Sequence, residues 1–491
     1  MWNILYTLFL RILLFFGVIL SGEAHADVGY FWHVSDFHYD DTYGKTGQSC
    51  SFPVSHPGPF GNGSCDSPMQ LIEESLKSMA SIKPDADFIL WTGDNAAHIP
   101  TPEFSLKRNL YMINAVTSAI KRNFPNTLLI PSLGNHDFFP ADYTNGTESE
   151  LYDSVCQMWS AWIKDPEQIN NCRRGNHHRP RLPDHSRHYE CRSNSALLPY
   201  PGNHHRPRLP DHSRHYECRT NSALLPYPGI IIGHVSPIIL AIMNVGLILP
   251  SFPTQVIIIG HVSPTIPAPF VLNWFYSQYQ KRYVKLMTLF SDLIIAHHYG
   301  HEHKDSFKIL QRDENGSEAS PVFLAPSVTP LRGIQPKGEQ GTRHNPGVRL
   351  VKYDRQTGKH LNYRQFYTNI TEANHLGRAV WRELYSFQDA YNVPDMSVSS
   401  LRKILKDMAK PFSLSMLKYC SFYTVTPPLG EVCSIKQQGA FWCAAQLTNV
   451  QETEDCIFRY IHGFKANVRS WFCARERVVC KNSKSQNDRK S

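Results

Sequence analysis

The segment FILWTGDNAAH, residues 88–98, opens as an apolar run, Phe88 to Thr92, and then turns abruptly polar at Gly93-Asp94-Asn95, with His98 four residues after the aspartate. A short apolar run that stops at glycine and acidic or amide side chains is the pattern of a sheet strand that delivers polar groups at its C-terminal end, where ligand sites of open α/β sheets lie. The pattern recurs on either side. Tyr30 to Val34 is an aromatic and β-branched run ending at Ser35-Asp36-Phe37-His38, and Thr127 to Leu133 ends at Gly134-Asn135-His136-Asp137. The spacers read as helices. Ser67-Pro68 predicts an N-cap with proline at the first helical position, and Met69, Ile72, Leu76 and Met79 fall on one face. Leu106, Leu110, Ile113, Val116 and Ile120 repeat that spacing. Strands alternating with helices predict a layered α/β fold.

Working outward, Val256 to Ile259 is a strand into Gly260-His261, Phe270 to Phe290 is helix-like and aromatic, and Leu293 to Ala296 is a strand approaching Gly300-His301-Glu302-His303. Phe307 to Leu310, Val322 to Leu324 and Val348 to Tyr353 predict further strands, which puts a first domain at residues 27–370. Residues 371–480 read as a small helical region stapled by disulfides, with Cys420, Cys433, Cys443, Cys456, Cys473 and Cys480. The basic stretch 481–491 reads as a disordered tail. Residues 171–255 are atypical. Gly175 to Pro201 is repeated at Gly202 to Pro228 with one change, Ser193 against Thr220, and IIIGHVSP occurs at 230–237 and 257–264, again 27 residues apart. A solenoid would need an apolar stripe to stack, and this His-, Arg- and Pro-rich block has none, so a tandem duplication is the better reading.

With 491 residues, 42% hydrophobic, the chain can bury a large core, and wholesale disorder or a coiled coil is excluded. Its net charge of +8 comes without a long basic block, which does not point to a nucleic acid polymer as partner. Residues 1–26 read as a signal peptide: Arg11, an apolar run Leu13 to Leu20, and a small-x-small site at Ala24-His25-Ala26. An uncleaved anchor helix is the alternative. Export, to the extracellular space or the lysosome, suits the 12 cysteines and the sequons at Asn62, Asn145, Asn315 and Asn369. No transmembrane segment is expected after signal cleavage, and oligomeric state is not legible.

The order D-x-H, G-D-N, G-N-H-D, G-H, G-H-x-H at strand ends suits a two-metal site. Asp36 and His38, two apart, point the same way in an extended segment and can close on one ion. His301 and His303 repeat that spacing. Asp94 can serve two cations at once and hold them within about 4 Å, Asn135 supplies a neutral oxygen and His261 a further nitrogen. So nitrogen-rich a set suits Zn²⁺ or another transition metal over Mg²⁺ or Ca²⁺.

This ordered set resembles the calcineurin-like metallophosphoesterases, and most closely the acid sphingomyelinase-like phosphodiesterases, through SDFHYD (35–40), WTGDNAAH (91–98), PSLGNHD (131–137), GHEHKDSF (300–307), APSVTP (325–330) and NPGVRLVKYD (345–354). The resemblance spans roughly residues 27–480 except about 171–255. It implies a four-layer β-sandwich flanked by helices, two Zn²⁺ ions, and hydrolysis of phosphodiester or phosphoanhydride bonds by hydroxide activated between the metals. It also implies Asp36, His38, Asp94 and His303 on one zinc, and Asp94, Asn135, His261 and His301 on the other. His136 would protonate the leaving oxygen or steady phosphoryl charge, and His98 would stand near the phosphate. His261 is preferred to His234, the equivalent residue of the first copy, because only its copy continues into the segment leading to Gly300. Ala97 stands where purple acid phosphatases place tyrosine, and GDNAAH replaces the GDxVDRG of protein phosphatases. A nucleotide or small soluble phosphodiester is favoured over a sphingomyelin-type headgroup, because the first strand starts at once after residue 26, without the saposin-like domain of true acid sphingomyelinase. The alternative is a secreted metal- or ligand-binding glycoprotein with a degenerate site.

Overall fold

The computed structural model describes residues 27–45, 50, 52, 54, 56–99, 104–139, 141, 149–162, 172, 230–232, 255–311, 319–333, 341–426 and 433–476. The signal segment, most of the tandem repeat including His234, the sequons at Asn145 and Asn315, and the basic tail lie outside the described residues. The strands are β1 Val28–Val34, β2 Phe88–Trp91, β3 Leu128–Pro131, β4 Ile230–Ile232, β5 Val256–Ile259, β6 Ile294–Tyr299, β7 Ser306–Gln311, β8 Ala319–Leu324, β9 Gly347–Asp354, β10 His360–Thr368 and β11 Trp381–Ser386. The helices are α1 Met69–Ile82, α2 Leu106–Asn123, α3 Ser149–Trp159, α4 Ser277–Leu289, α5 Ile370–Leu376, α6 Phe387–Tyr391, α7 Val398–Met408, α8 Leu414–Tyr423, α9 Ile435–Ala444 and α10 Val450–Glu476.

One sheet runs β11-β10-β9-β1-β2-β3 and the other β4-β5-β6-β8-β7. In the first, β1, β2 and β3 are parallel. In the second, β4, β5, β6 and β8 are parallel. Their strands are apolar on both faces because both faces are covered. Phe31, Phe88 and Leu90 meet Ile257, Ile259, Phe307 and Phe323 between the sheets. The alternate residues Trp32, Val34, Ile89 and Trp91 pack outward against Leu71, Ile72, Leu76, Ile113 and Val116 of α1 and α2. On the far side Val256, Ile258, Val322 and Leu324 pack against Tyr283, Val284 and Met287 of α4. The result is helix, sheet, sheet, helix, with every parallel strand aimed toward one end.

Four local expectations change. Helix α1 starts at Met69 with Pro68 at the N-cap and no side-chain cap bond, so Ser67 is one residue outside it. Residues 270–276 are not helical; their rings are used for side-chain packing, with Trp274 edge-on to His301 and Phe275 against Tyr283. Strand β6 extends to Tyr299 and enters Gly300 directly. Finally, β11 pairs antiparallel with β10, so the first sheet continues past residue 370.

The C-terminal helices are continuous with the sandwich core: Leu401, Ile404, Met416, Tyr419 and Phe441 share one cluster with Phe307 and Phe323. Disulfides Cys420–Cys433 and Cys443–Cys456 staple these helices, while Cys50–Cys65 and Cys156–Cys172 close loops of the first domain. Among the described residues no helix is long and apolar enough to cross a membrane.

The inter-sheet space also holds imidazoles. His298 contacts His33 at 3.2 Å and His360 at 2.9 Å there, while His297, on the opposite face of β6 toward α4, bonds Ser320 at 2.8 Å. Burial pushes His297 down to about 3 and His360 down to about 4. Both stay neutral in the folded protein while the unfolded chain takes up protons below about 6.5, so their stability is intact above that pH and is lost as pH falls toward their folded values. At pH 5 the loss is about 2 kcal/mol for each. Urea midpoints are therefore expected to fall between pH 7 and pH 5, and His297→Asn to flatten that dependence. An unchanged slope in the variant would contradict this.

Candidate metal centre

Five strand tips meet at one end: those of β1, β2 and β3 from one sheet and of β5 and β6 from the other. Backbone bonds tie them together. Asp36 N–H donates to Gly93 O at 3.0 Å, His38 N–H to Asp94 O at 3.0 Å, and Gly300 N–H to His261 O at 3.0 Å. The approach is so close that a Cβ at Gly300 would lie 1.8 Å from Ser35 Oγ, and one at Gly134 would lie 2.0 Å from Asp94 Oδ1. Asp36, His38, Asp94, His301 and His303 all have positive φ, from 41° to 69°. The extended geometry expected for Asp36/His38 and His301/His303 is therefore replaced by left-handed turns, which curl both side chains inward. Each such residue carries on the order of 1–3 kcal/mol of strain, the kind held where function requires it.

Every residue expected at the site is in this cluster. Asp94 Oδ2 lies 2.9 Å from His261 Nε2 and 3.4 Å from His38 Nε2, and Asp36 Oδ1 lies 3.3 Å from His303 Nε2. His38 Nε2 and His303 Nε2 are 3.1 Å apart, and His301 Nδ1 is 2.9 Å from Asn135 Oδ1. Three sets have ligand atoms mutually within 4.8 Å: Asp36/His38/Asp94, Asp94/His261/His301 and His38/His98/His303. Asp94 Oδ1 accepts the His136 N–H at 2.9 Å, so a single oxygen, Oδ2, faces both halves of the site.

The imidazoles are oriented from behind. His38 Nδ1 donates to Ala96 O at 2.9 Å and His261 Nδ1 to Thr92 O at 2.6 Å, which leaves both Nε2 atoms turned into the centre, the arrangement found for ligating histidines. Nε2 of His301 is buried without a hydrogen-bond partner, as an atom awaiting a cation is, and Nε2 of His261 meets the Asp94 carboxylate. Burial alone would raise Asp36, but His303 and His261 outweigh it and hold the carboxyl well below its usual range. Burial opposes charge on His38 and His261 too, yet the carboxylates of Asp36 and Asp94 raise them to about 10 and about 9. Burial and His261 lower His301 to about 3. Two carboxylates drawing protons into positions that cations can take is a donor set that fits metal.

Around this centre, His98 stacks on His38 with centroids 4.2 Å apart and meets His136 at 4.1 Å. Burial and His98 hold His136 well below its usual value. Two carboxylates were not anticipated from sequence. Asp137 accepts N–H bonds from Gly134, Asp94, Asn95 and Ala96 between 2.8 and 3.1 Å, clamping two strand tips together; burial and Asp94 push it up to about 6. Its place in the GNHD motif was a signal that could have found it. Asp66, 0% exposed, binds His98, and nothing in the pattern marks it. Glu302, between the two histidines, is held by Lys308 at 2.6 Å, and Lys308 also donates to Ile266 O at 2.9 Å, which anchors the turn.

Comparison with family models decides the relationship: residues 29–305 match the calcineurin-like phosphoesterase model, and residues 317–463 match the acid sphingomyelin phosphodiesterase C-terminal region. The chain belongs to the calcineurin-like phosphoesterase family. Within that family this acid sphingomyelinase-like phosphodiesterase is 30% identical over 440 residues to cyclic GMP-AMP phosphodiesterase SMPDL3A of Bos taurus, covering 88% of this chain and 91% of the relative. It is 28% identical to acid sphingomyelinase-like phosphodiesterase 3b of Homo sapiens, covering 89% and 92%. To sphingomyelinase phosphodiesterase C of Dictyostelium discoideum it is 26% identical, covering 87% and 93%. The phosphodiesterase is thus a hydrolase of phosphate esters, with His and Asp groups arranged to hold divalent metal.

Proposed function

We propose that the protein is a secreted, zinc-dependent phosphodiesterase whose substrate is a nucleotide-type phosphodiester or phosphoanhydride. The observation that carries this reading is Asp94 Oδ2, poised between His38 and His261. Asp36, His38, Asp94 and His303 would hold one ion, and Asp94, Asn135, His261 and His301 the other; the preponderance of nitrogen favours Zn²⁺. When bound, the cations supply Lewis-acid polarisation of the phosphoryl group and a water made acidic enough to act as nucleophile near neutral pH. The chain's own residues do the rest. Asp137 fixes the β2 and β3 tips relative to each other, so the ligand geometry is preorganised. His136 gives the leaving oxygen its proton or steadies charge on the phosphoryl group, and His98, 32% exposed and held by Asp66, stands beside the phosphate. Relatives named for cyclic GMP-AMP hydrolysis support a nucleotide over a lipid headgroup.

Disulfides and the sequons at Asn62 and Asn369 support export and glycosylation. Asn369 caps α5 through its side-chain oxygen, which accepts the Glu372 N–H. The test is turnover of cyclic GMP-AMP, bis(p-nitrophenyl) phosphate and sphingomyelin by the metal-replete protein. Hydrolysis of the first two is expected; turnover of sphingomyelin alone would overturn the substrate assignment, and none at all the reaction. His261→Ala should lower kcat/KM roughly 10²-fold or more and reduce bound metal, whereas His234→Ala should change neither. The reverse result would move the ligand to the first copy of the repeat.

A further inference from the structure

We propose that Trp274 is the specificity-determining residue of this site, the aromatic platform on which the nucleobase of the substrate stacks. The inference deepens the nucleotide reading given above and rests on it. Trp274 adjoins the metal centre. Its ring meets that of His301 with centroids 4.4 Å apart and planes at 79°, and the His301 ring meets that of His261 at 5.2 Å. Trp274 thus stands one imidazole away from the ion that His301 would hold, and a ribose likewise separates a base from its phosphate. The indole is partly exposed. Tyr276, two residues on, is 36% exposed and meets Tyr279 at 6.3 Å, so the aromatic surface continues toward solvent.

The segment that carries Trp274 is fixed on both sides of it. Tyr423 Oη donates to Ala268 O, Val271 packs against the inter-sheet core, and Phe275 stacks on Tyr283 of α4 with planes at 26°. Between these anchors two side chains keep polar atoms that the protein does not satisfy. Trp274 Nε1 and Asn273 Oδ1 are buried with no hydrogen-bond partner among the described residues. Such atoms are costly to bury and call for an explanation. A nucleoside supplies one, since its sugar hydroxyls both donate and accept. The two side chains have to turn outward to reach them, and no side-chain hydrogen bond among the described residues holds them back.

An aromatic platform beside a phosphate is also the chemistry that captures a quaternary ammonium such as a choline headgroup. Charge decides against that occupant. Residues 255–291 contain no aspartate or glutamate and carry Lys281, Arg282 and Lys285, all exposed on α4. A cation approaching Trp274 meets like charge on the next helix, whereas a nucleotide brings anionic phosphate and an uncharged base. Stacking tolerates any base, because every base has a π-face. The substrate class is therefore a nucleotide ester of either a purine or a pyrimidine, recognised by the ring of its base rather than by its hydrogen-bonding edge.

The experiment uses the p-nitrophenyl esters of thymidine 5′-phosphate, methyl phosphate and phosphocholine, which share a leaving group and differ in what stays on phosphorus. Rates are measured on the metal-replete wild type, Trp274→Leu and Trp274→Phe, with metal content alongside. The wild type is expected to favour the thymidine ester. Trp274→Leu, which keeps bulk against His301, should raise KM for that ester about 10-fold with kcat little changed, the scale of one base–aromatic stack. Trp274→Phe should recover part of the loss, and the methyl ester should lose no more than a few-fold in either variant. Equal losses on the methyl and thymidine esters, or loss of metal in both variants, would show that the ring only packs His301 and overturn the proposal. A loss confined to the choline ester would overturn it in favour of a cation site. If the wild type favours the thymidine ester and Trp274→Leu keeps that preference, the Trp274 assignment alone fails. If the wild type handles the methyl and thymidine esters alike, the nucleotide reading fails and takes this one with it.

Discussion

Asp94→Asn is expected to cost about 10³-fold or more in kcat/KM and to leave at most one tightly held metal ion per chain, because a shared anionic ligand supports both halves of a two-metal site. The reason is geometric. Only Oδ2 faces the centre, 2.9 Å from His261 Nε2 and 3.4 Å from His38 Nε2, while Oδ1 is committed to the His136 N–H. Asparagine keeps the shape but brings a neutral oxygen or an NH₂ where a bridging anion is needed. Loss of the anion also removes part of the attraction that raises His38 and His261, with Asp36 left to supply the rest. Metal analysis beside initial rates checks both parts. Retention of two ions with normal turnover would show that the carboxylate does not bridge.

The largest effect on stability is expected away from the ligands, at Arg349. This guanidinium is 0% exposed, bonds Asp305 Oδ1 at 2.5 Å and Gln365 Oε1 at 3.1 Å, and lies over the Tyr363 ring at 4.3 Å. Tyr385 completes the network by donating to Asp305 Oδ2 at 2.7 Å. Arg349→Met strands Asp305 as an unpaired buried charge, a situation that costs about 3–5 kcal/mol. Burial already raises Asp305, so without Arg349 its carboxyl should be neutral at higher pH still. Adding Asp305→Asn to Arg349→Met should restore part of the loss, since removing both charges is cheaper than stranding one. Denaturant midpoints of the two single variants and the double variant measure this; a double variant that simply sums the singles would contradict it. Asp305 stands two residues after His303, and its N–H donates to Tyr423 O at 3.2 Å, so the same network joins the C-terminal helices to the strand tip that carries His301 and His303.

The parts of the fold legible in the sequence are those whose signal is local. FILW before GDN and LLIP before SLGNHD announce both strand and site within a few residues, because a doubly covered strand is apolar throughout and its tip is where the backbone must turn. The illegible parts depend on what lies far away in the chain. β11, with Arg382 and Glu383 exposed at the sheet edge, carries too little apolar pattern to stand out from the helices that follow. The two Ile-Ile-Ile stretches at 230–232 and 257–259 pair in register as neighbouring strands, a use of the repeat that its near identity obscured. Asp66 reaches His98 across 32 residues through a disulfide-closed loop, and no periodicity encodes such a contact. The turn of 270–276 looks helical in composition because it is rich in rings, but those rings pack around His301 and Tyr283.

The most direct measurement is elemental analysis of the purified protein, followed by chelation and stepwise return of Zn²⁺ with phosphodiester turnover recorded at each addition. Two equivalents of zinc per chain, activity lost on chelation, and activity regained as the second equivalent is added are expected from a site centred on one oxygen of Asp94. Full turnover by metal-free protein, or full turnover with a single equivalent, would contradict it.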